Sequence, residues 1–233
     1  MKNSVIICAA GVGKRMKSAI AKQYIELRGR TILSYTIEAF QKSEDISNII
    51  IVTGKDEIDY VKSEIVDKYN FSKVKAVVEG GKERQDSVYN GLKQMKDADI
   101  VLVHDGVRPF VEQKDIHNII EETKKYGACI SGVRVKDTIK VCDENGYIKD
   151  TPARSTLWAA HTPQSFKYDI IKRAYESAYR DGVMGTDDSM LVERLGVRVK
   201  VVEGSYNNIK LTTPDDLYLG ENILDELINH DEH

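Results

Sequence analysis

The chain has 233 residues, 41% of them hydrophobic and 30% charged, which supplies both a core and a soluble surface. Lys and Arg number 34 against 37 Asp and Glu, a formal net charge of -3 that lacks the basic excess of a nucleic-acid binder. No apolar run approaches the roughly 20 residues that span a bilayer, and residues 4–9 are too short for the apolar core of a signal peptide. The expected setting is therefore the cytoplasm, with neither membrane nor nucleic acid as a partner. One domain over residues 1–233 is expected, since single cores extend to roughly 250 residues. The odd, widely spaced trio Cys8, Cys129 and Cys142 gives neither a disulfide framework nor a zinc spacing. Cys8 and Cys129 lie in apolar runs and read as buried small residues.

Along the chain, short Val- and Ile-rich runs alternate with amphipathic segments. The first run, Val5–Ala9, reads as a strand, and Ile32, Tyr35, Thr36, Ala39 and Phe40 then share one helix face. Strand Ile49–Val52 is followed by a helix marked by Ile58, Val61, Ile65 and Val66. Strand Lys73–Val78 is followed by one marked by Val88, Leu92 and Met95. Strand Ile100–Val103 precedes a helix carrying Ile116, Ile119 and Ile120, and Cys129–Val133 is a fifth strand. This alternation predicts an α/β fold, Rossmann-like, with a mainly parallel sheet and helices on both faces. Residues 134–158 break the rhythm: Val135 to Tyr147, turning at Glu144-Asn145-Gly146, read as a projecting hairpin arm of the kind that pairs subunits. Helices over Tyr168–Arg180 and Asp187–Leu195, a strand over Val197–Val202 and a last helix from Thr213-Pro214-Asp215-Asp216 complete the pattern.

The first strand runs into Ala9-Ala10-Gly11-Val12-Gly13-Lys14-Arg15-Met16. Small residues let backbone N–H groups approach an anion, Lys14 and Arg15 add positive charge, and ligands of open α/β sheets sit at such strand ends. Two readings stand at this point: a phosphate loop, or a plain strand-to-helix turn. A dinucleotide fingerprint is excluded because Met16 holds the place of its third glycine, and a P-loop because Gly-Lys-Ser/Thr is absent. Lys22, close by, is either a second cation for a triphosphate or a solvated surface lysine.

Further blocks decide between these. The loop with Lys22-Gln23-Tyr24 resembles the opening of the 2-C-methyl-D-erythritol 4-phosphate cytidylyltransferases. Gly80-Gly81-x-x-Arg84-x-x-Ser87 resembles that family's second nucleotide loop, and His104-Asp105-x-x-Arg108-Pro109 its central motif. Asp137-Thr138-Ile139-Lys140 is similar to its arm, and Arg154, Leu157-Trp158 and Thr162-Pro163-Gln164 to the segment that follows. Thr186-Asp187-Asp188 and Asn208-Ile209-Lys210-x-Thr212-x-Pro214 close a series of seven blocks in order.

The resemblance implies a nucleotide-diphospho-sugar transferase-like fold and transfer of CMP from CTP to 2-C-methyl-D-erythritol 4-phosphate. The products would be 4-diphosphocytidyl-2-C-methyl-D-erythritol, of the non-mevalonate isoprenoid pathway, and pyrophosphate. It also implies Mg²⁺ carried on the CTP phosphates, with Asp105 reaching it through water, and a homodimer joined by the hairpin arms. Under it, Arg15, Lys22, Arg154 and Lys210 are the catalytic cations. Ala9, Ala10, Gly11, Gly13, Gly81, Arg84 and Ser87 hold the nucleotide. Asp105, Arg108, Thr138, Arg154 and Lys210 hold the polyol phosphate, Arg154 from the second copy.

Plainer roles remain for several of these. Asp105 and Arg108 could form a surface ion pair. Asp187 and Asp188 read as a helix start rather than a metal site, His104 as structural, and Trp158 as core or interface. Three departures from the family pattern stand out: Ala21 where proline is usual, Gly106-Val107 for Ala-Ala, and His161 where glutamine is common. The rival readings are a ribitol-5-phosphate cytidylyltransferase, with the same chemistry, and a non-catalytic nucleotide-binding regulator.

Overall fold

Val and Ile dominate the strands because both faces of the sheet are covered. The computed structural model describes residues 1–11, 21–95 and 97–231. Strand β1 (Asn3–Cys8) leads to a small ribbon of β2 (Glu26–Leu27) and β3 (Arg30–Thr31), then to α1 (Ile32–Lys42) and β4 (Asn48–Thr53). Thr31 caps α1 by accepting from the Ser34 N–H at 3.3 Å. A helical stretch through α2 (Ile58–Tyr60) and residues Val61–Asp67 precedes β5 (Val74–Glu79), α3 (Arg84–Leu92), β6 (Ile100–Asp105) and α4 (Gln113–Tyr126). Gly127, at φ 84°, ends α4 in the left-handed conformation. Then come β7 (Ala128–Arg134), the arm strands β8 (Val141–Cys142) and β9 (Ile148–Asp150), β10 (Trp158–Lys167), α5 (Tyr168–Arg180), α6 (Asp188–Glu193), β11 (Lys200–Glu203) and α7 (Pro214–Asp231).

Seven strands form the main sheet in the order β11-β7-β10-β6-β1-β4-β5. All neighbours are parallel except β10, which runs antiparallel to both β6 and β7. The mainly parallel α/β fold expected from the sequence is the fold observed. The sequence pattern did not reveal β10, and it began β11 three residues early.

Alternation along β1 sorts the core into two layers. Val5 and Ile7 pack with Leu33, Phe40 and Ile120 on one face. Ile6 packs with Val88, Phe166 and Tyr175 on the other. A third cluster joins Leu27, Ile32, Val107 and Phe110 to Leu211 and to Ile223 and Leu224 of α7. The arm turns at Gly146, φ 84°, where Asp143 Oδ1 accepts from the Asn145 and Tyr147 N–H groups.

From β1 the chain builds outward through β4 and β5, and later on the other side through β6. The strand order therefore reverses beside β1, and the carboxyl ends of β1 and β6 open a crevice there. Backbone bonds fix its rim: Ala9 N to Val52 O at 2.7 Å, Gly80 N to Thr53 O at 2.7 Å and Gly106 N to Cys8 O at 2.9 Å.

Candidate active site

The crevice holds a cleft of about 260 Å³, and the loops after β1 and β5 form its walls. Ala9, Ala10 and Gly11 line one side; Gly81, Arg84 and Ser87 line the other. The two loops approach so closely that a Cβ on Gly80 would stand 2.4 Å from that of Ala10. One on Gly81 would stand 2.1 Å from that of Asp86. Glycine is thus required by packing at both positions. Ser87 Oγ accepts from the Gly81 N–H at 3.0 Å and donates to Glu83 O at 3.2 Å, so it shapes the second loop. Gln23 Nε2 donates to Ala9 O at 2.6 Å and ties the first loop to the turn at Lys22–Tyr24. Lys22 lines the cleft. Ala21, where the family usually has proline, has φ -61°, the value proline would impose. Gly13 and Arg15 lie outside the described residues.

Asp105, the last residue of β6, stands on the cleft floor and is only 7% exposed. Lys210 Nζ lies 2.8 Å from Oδ2, Arg108 Nε 3.6 Å from Oδ2 and Arg84 Nε 3.5 Å from Oδ1. Burial alone would raise its pKa; the charges of Lys210, Arg84 and Arg108 outweigh it and hold the carboxyl well below the usual carboxylate range. The Asp105–Arg108 pair is therefore buried, which excludes the surface ion pair entertained from sequence.

Arg84 is clamped from behind. Its Nη1 and Nη2 donate to Asp188 Oδ1 and Oδ2 at 3.0 and 2.8 Å, a bidentate pair. Asp188 is fully buried and also accepts from the Tyr175 hydroxyl. Burial opposes the Arg84 charge, but Asp188 foremost, with a smaller contribution from Asp105, holds the guanidinium above its ordinary value. The two acids that read as a helix start divide the work. Asp187 caps α6, accepting from the Met190 N–H at 2.9 Å, while Asp188 turns inward to Arg84.

Behind Asp105 a neutral network sets the backbone. The Asp105 N–H donates to Thr162 Oγ1 at 3.1 Å, so the Thr162 hydroxyl hydrogen is left for His104 Nδ1, also at 3.1 Å. His104 Nε2 then carries the ring proton and donates to Arg108 O at 3.0 Å. Burial pushes the His104 pKa down to about 4, and with both nitrogens engaged the ring is structural. Arg108 Nη1 donates to Asn208 O at 2.7 Å, and Asn208 Nδ2 to Thr162 O at 2.8 Å, which joins the Lys210 segment to β10.

A second chamber of about 170 Å³ adjoins the first and shares Arg84, Asp105 and Lys210 with it. Arg108, Ala160, His161, Thr162, Gln164, Thr186 and Asp187 complete its wall. Neither Arg154 nor Thr138 lines either chamber among the described residues. Both are exposed on the arm, with Arg154 Nη1 donating to Lys136 O at 3.0 Å. Cys8, expected in the core, instead lines the cleft half-buried, its thiol pushed up to about 12 by burial. Cys129 is buried as expected.

Sequence reasoning placed Asp105, Arg108, Lys210 and the two loops in one site. It missed Asp188 and Tyr175 as the clamp on Arg84, and Thr162 and Asn208 as the joint beneath Arg108. The available signal was a half-buried arginine's need for a counter-charge.

The family model for 2-C-methyl-D-erythritol 4-phosphate cytidylyltransferase matches residues 4–226. A protein of that name from Clostridium novyi (strain NT) is 50% identical over 226 residues, 97% of this chain and 98% of that one. One from Clostridium botulinum (strain ATCC 19397 / Type A) is 52% identical over 227 residues, 97% and 99% of the two chains. Among solved structures, the 4-diphosphocytidyl-2C-methyl-D-erythritol synthase of Anaerococcus prevotii DSM 20548 superposes with a TM-score of 0.86 at 36% identity, covering 96% of each chain. The 2-C-methyl-D-erythritol 4-phosphate cytidylyltransferase of Thermus thermophilus gives 0.79 at 30% identity, covering 96% of this chain and 98% of that one. With sequence and fold agreeing over nearly the whole length, this chain belongs to the 2-C-methyl-D-erythritol 4-phosphate cytidylyltransferase family.

Proposed function

We propose that the chain transfers the cytidylyl group of CTP to 2-C-methyl-D-erythritol 4-phosphate. The observation that carries the reading is the charge cluster where the two chambers meet. Arg84, Arg108 and Lys210 surround Asp105, and Asp188 backs Arg84. Within this cluster three cations stand against two carboxylates, where two cavities adjoin, the second of them also lined by Asp187. A reaction that joins two phosphates needs such a place.

In that reaction an oxygen of the polyol phosphate attacks the α-phosphorus of CTP. One P–O bond forms, the α–β bond breaks, and pyrophosphate leaves. The nucleophile is already an anion, so the protein supplies position and charge rather than a base. In this reading the nucleotide occupies the first chamber, its base against the backbone around Ala10 and Gly81. Arg84 and Ser87, already engaged within the chain, shape that wall. Lys22 and Arg15 stabilise charge on the α-phosphate. Lys210, shared by both chambers, holds the attacking phosphate beside it, and Asp105 and Arg108 face the acceptor.

Arg154 and Thr138 would reach the acceptor phosphate from a second copy. Exposed Ile139, Val141, Tyr147 and Ile148 on the arm support such a homodimer. Mg²⁺ is taken as part of the substrate, MgCTP. Among the described residues no group of three His, Cys, Asp or Glu could hold a metal ion, and both Asp105 oxygens face cations. Among the described residues no helix is long and apolar enough to cross a membrane, which suits an enzyme of water-borne phosphates.

The test is pyrophosphate release from CTP and Mg²⁺ with each of two acceptors. Release is expected with 2-C-methyl-D-erythritol 4-phosphate. Release with ribitol 5-phosphate alone would overturn the acceptor assignment. Tight CTP binding with no release from either would favour the regulator.

A further inference from the structure

Among the polar side chains on the wall of the second chamber, His161 has no role in the reading above. His161 stands on β10, where the pairing with β7 shifts register between Ala160 and Gln164. It lines the chamber beside Arg108 and Thr162. Its Nδ1 is sealed from solvent and has no hydrogen-bond partner among the described residues, which leaves Nε2 as the polar atom the ring offers to the chamber.

Buried polar atoms without partners are few in native proteins and call for an explanation. Seven such side-chain atoms occur among the described residues, and three of them belong to this corner: His161 Nδ1, Arg108 Nε and Asn208 Oδ1. Arg108 and Asn208 are bonded to each other, and Asn208 to Thr162, the residue after His161. All three atoms are sealed from solvent, and Arg108 Nε faces Asp105 Oδ2 at 3.6 Å, so a ligand in the cavity would meet this corner through atoms left open, with His161 Nε2 among them.

The ring's chemistry narrows what that ligand presents. Burial, and then the charge of Arg108, push the His161 pKa down to about 4, so the imidazole is neutral at ordinary pH. A phosphate in the same chamber is better met by Arg108 and Lys210, which carry charge. A neutral imidazole nitrogen, donor or acceptor by tautomer, matches a hydroxyl, which can be either. A general base is not required, because the attacking phosphate is already ionised.

From this we infer that His161 is a specificity-determining residue of the acceptor chamber, where Nε2 forms a hydrogen bond with a hydroxyl of the polyol chain. The inference rests on the reading of this chamber as the acceptor site. Glutamine at this position would offer a donor and an acceptor at similar reach, and leucine neither.

The experiment compares wild type, His161→Leu and His161→Gln in steady-state pyrophosphate release, with KM for CTP and for the polyol phosphate measured separately. His161→Leu should raise the polyol phosphate KM by about 3- to 10-fold, the worth of one neutral hydrogen bond, with kcat and the KM for CTP unchanged. His161→Gln should restore it. An acceptor lacking the bonded hydroxyl should lose affinity for wild type but not for His161→Leu. An unchanged polyol phosphate KM in His161→Leu, or an equal rise in both KM values, overturns the inference. If His161→Leu fails to fold, the deoxy acceptors decide with wild type and His161→Gln: one of them must bind more weakly than the parent acceptor to both, and none doing so overturns it. Should wild type use ribitol 5-phosphate instead, the acceptor assignment fails while the same comparison with that acceptor still decides His161. Turnover of neither acceptor overturns both.

Discussion

Replacing Asp188 with asparagine keeps the shape of the side chain and removes its charge. The carboxylate is 0% exposed, and both its oxygens face Arg84, at 3.0 and 2.8 Å. Breaking a buried ion pair from one side costs about 3–5 kcal/mol, because the surviving charge stays buried without compensation. Here two features reduce the loss. The Arg84 side chain is 33% exposed, and Asp105 lies 3.5 Å from its Nε, so water and a second carboxylate share the freed charge. The lower end, about 3 kcal/mol, is therefore expected. In a domain of this size each kcal/mol moves Tm by about 2–4 °C, so Asp188→Asn should melt about 6–12 °C lower. Arg84 would also be drawn toward Asp105, in competition with Lys210, so kcat/KM should fall at temperatures where the variant is fully folded. Circular-dichroism melting and pyrophosphate release test the two halves separately. A Tm within about 2 °C of wild type, less than 1 kcal/mol on the same scale, would refute the clamp as a structural element. Full activity in a destabilised variant would refute its link to catalysis.

Three further outcomes follow from the geometry. Lys210→Ala removes the cation 2.8 Å from Asp105 at the junction of the chambers; turnover should fall on the order of 10²-fold while CTP affinity by calorimetry holds, and normal turnover would remove Lys210 from the mechanism. Gly81→Ala places a Cβ 2.1 Å from that of Asp86; the loop must shift, with about 1–3 kcal/mol of strain and weaker CTP binding, and unchanged stability and affinity would contradict the close approach. His104 is buried and neutral, its pKa lowered from 6.5 to about 4; below pH 6.5 the unfolded chain binds a proton that the folded chain refuses until about pH 4, so its stabilisation is complete above that window and lost through it. That loss is about 3 kcal/mol, read from urea unfolding at successive pH values, and a slope unaltered in a His104→Gln variant would exclude His104 as its source.

What was legible from sequence divides along physical lines. The strands with two covered faces announced themselves, because burial on both sides demands unbroken Val and Ile, as in Asn48–Thr53 and Ile100–Asp105. α5, over Tyr168–Arg180, was visible with its observed bounds because one face carries Ile171, Ala174, Tyr175 and Ala178 at helical spacing. β10 was hidden. Of His161, Thr162, Pro163, Gln164 and Ser165 only Thr162 favours a strand, and Thr162 and Gln164 bond sideways to the site: Thr162 to Asp105, Gln164 to Asp187 and to the Ser189 N–H. In the site, residue types that favour phosphate could be read directly. Asp188 could not, since an acid pair at a helix start already has a local explanation in the helix dipole. Its partner Arg84 lies 104 residues away, and only the tertiary fold joins them.

An aspartate at the centre of the proposed phosphate site calls for its own account. Without Asp105, the charges of Arg84, Arg108 and Lys210 would converge with no carboxylate between them, Asp188 lying behind Arg84 and Asp187 on the chamber wall, and mutual repulsion would drive the flexible Lys210 outward, since its side chain is 38% exposed. Asp105 holds Lys210 at 2.8 Å and remains ionised because the three cations outweigh its burial. It weakens the attraction for phosphate somewhat, and in return the cations are already in place when the substrates arrive. That arrangement suits a reaction in which charge moves between phosphates without being created, because fixed charges need no reorganisation at the moment of transfer. The same reasoning assigns Asp188 its place. It sits behind Arg84 and fixes the direction of one cation, which meets Oδ1 of Asp105, so that Oδ2 can be shared by the other two.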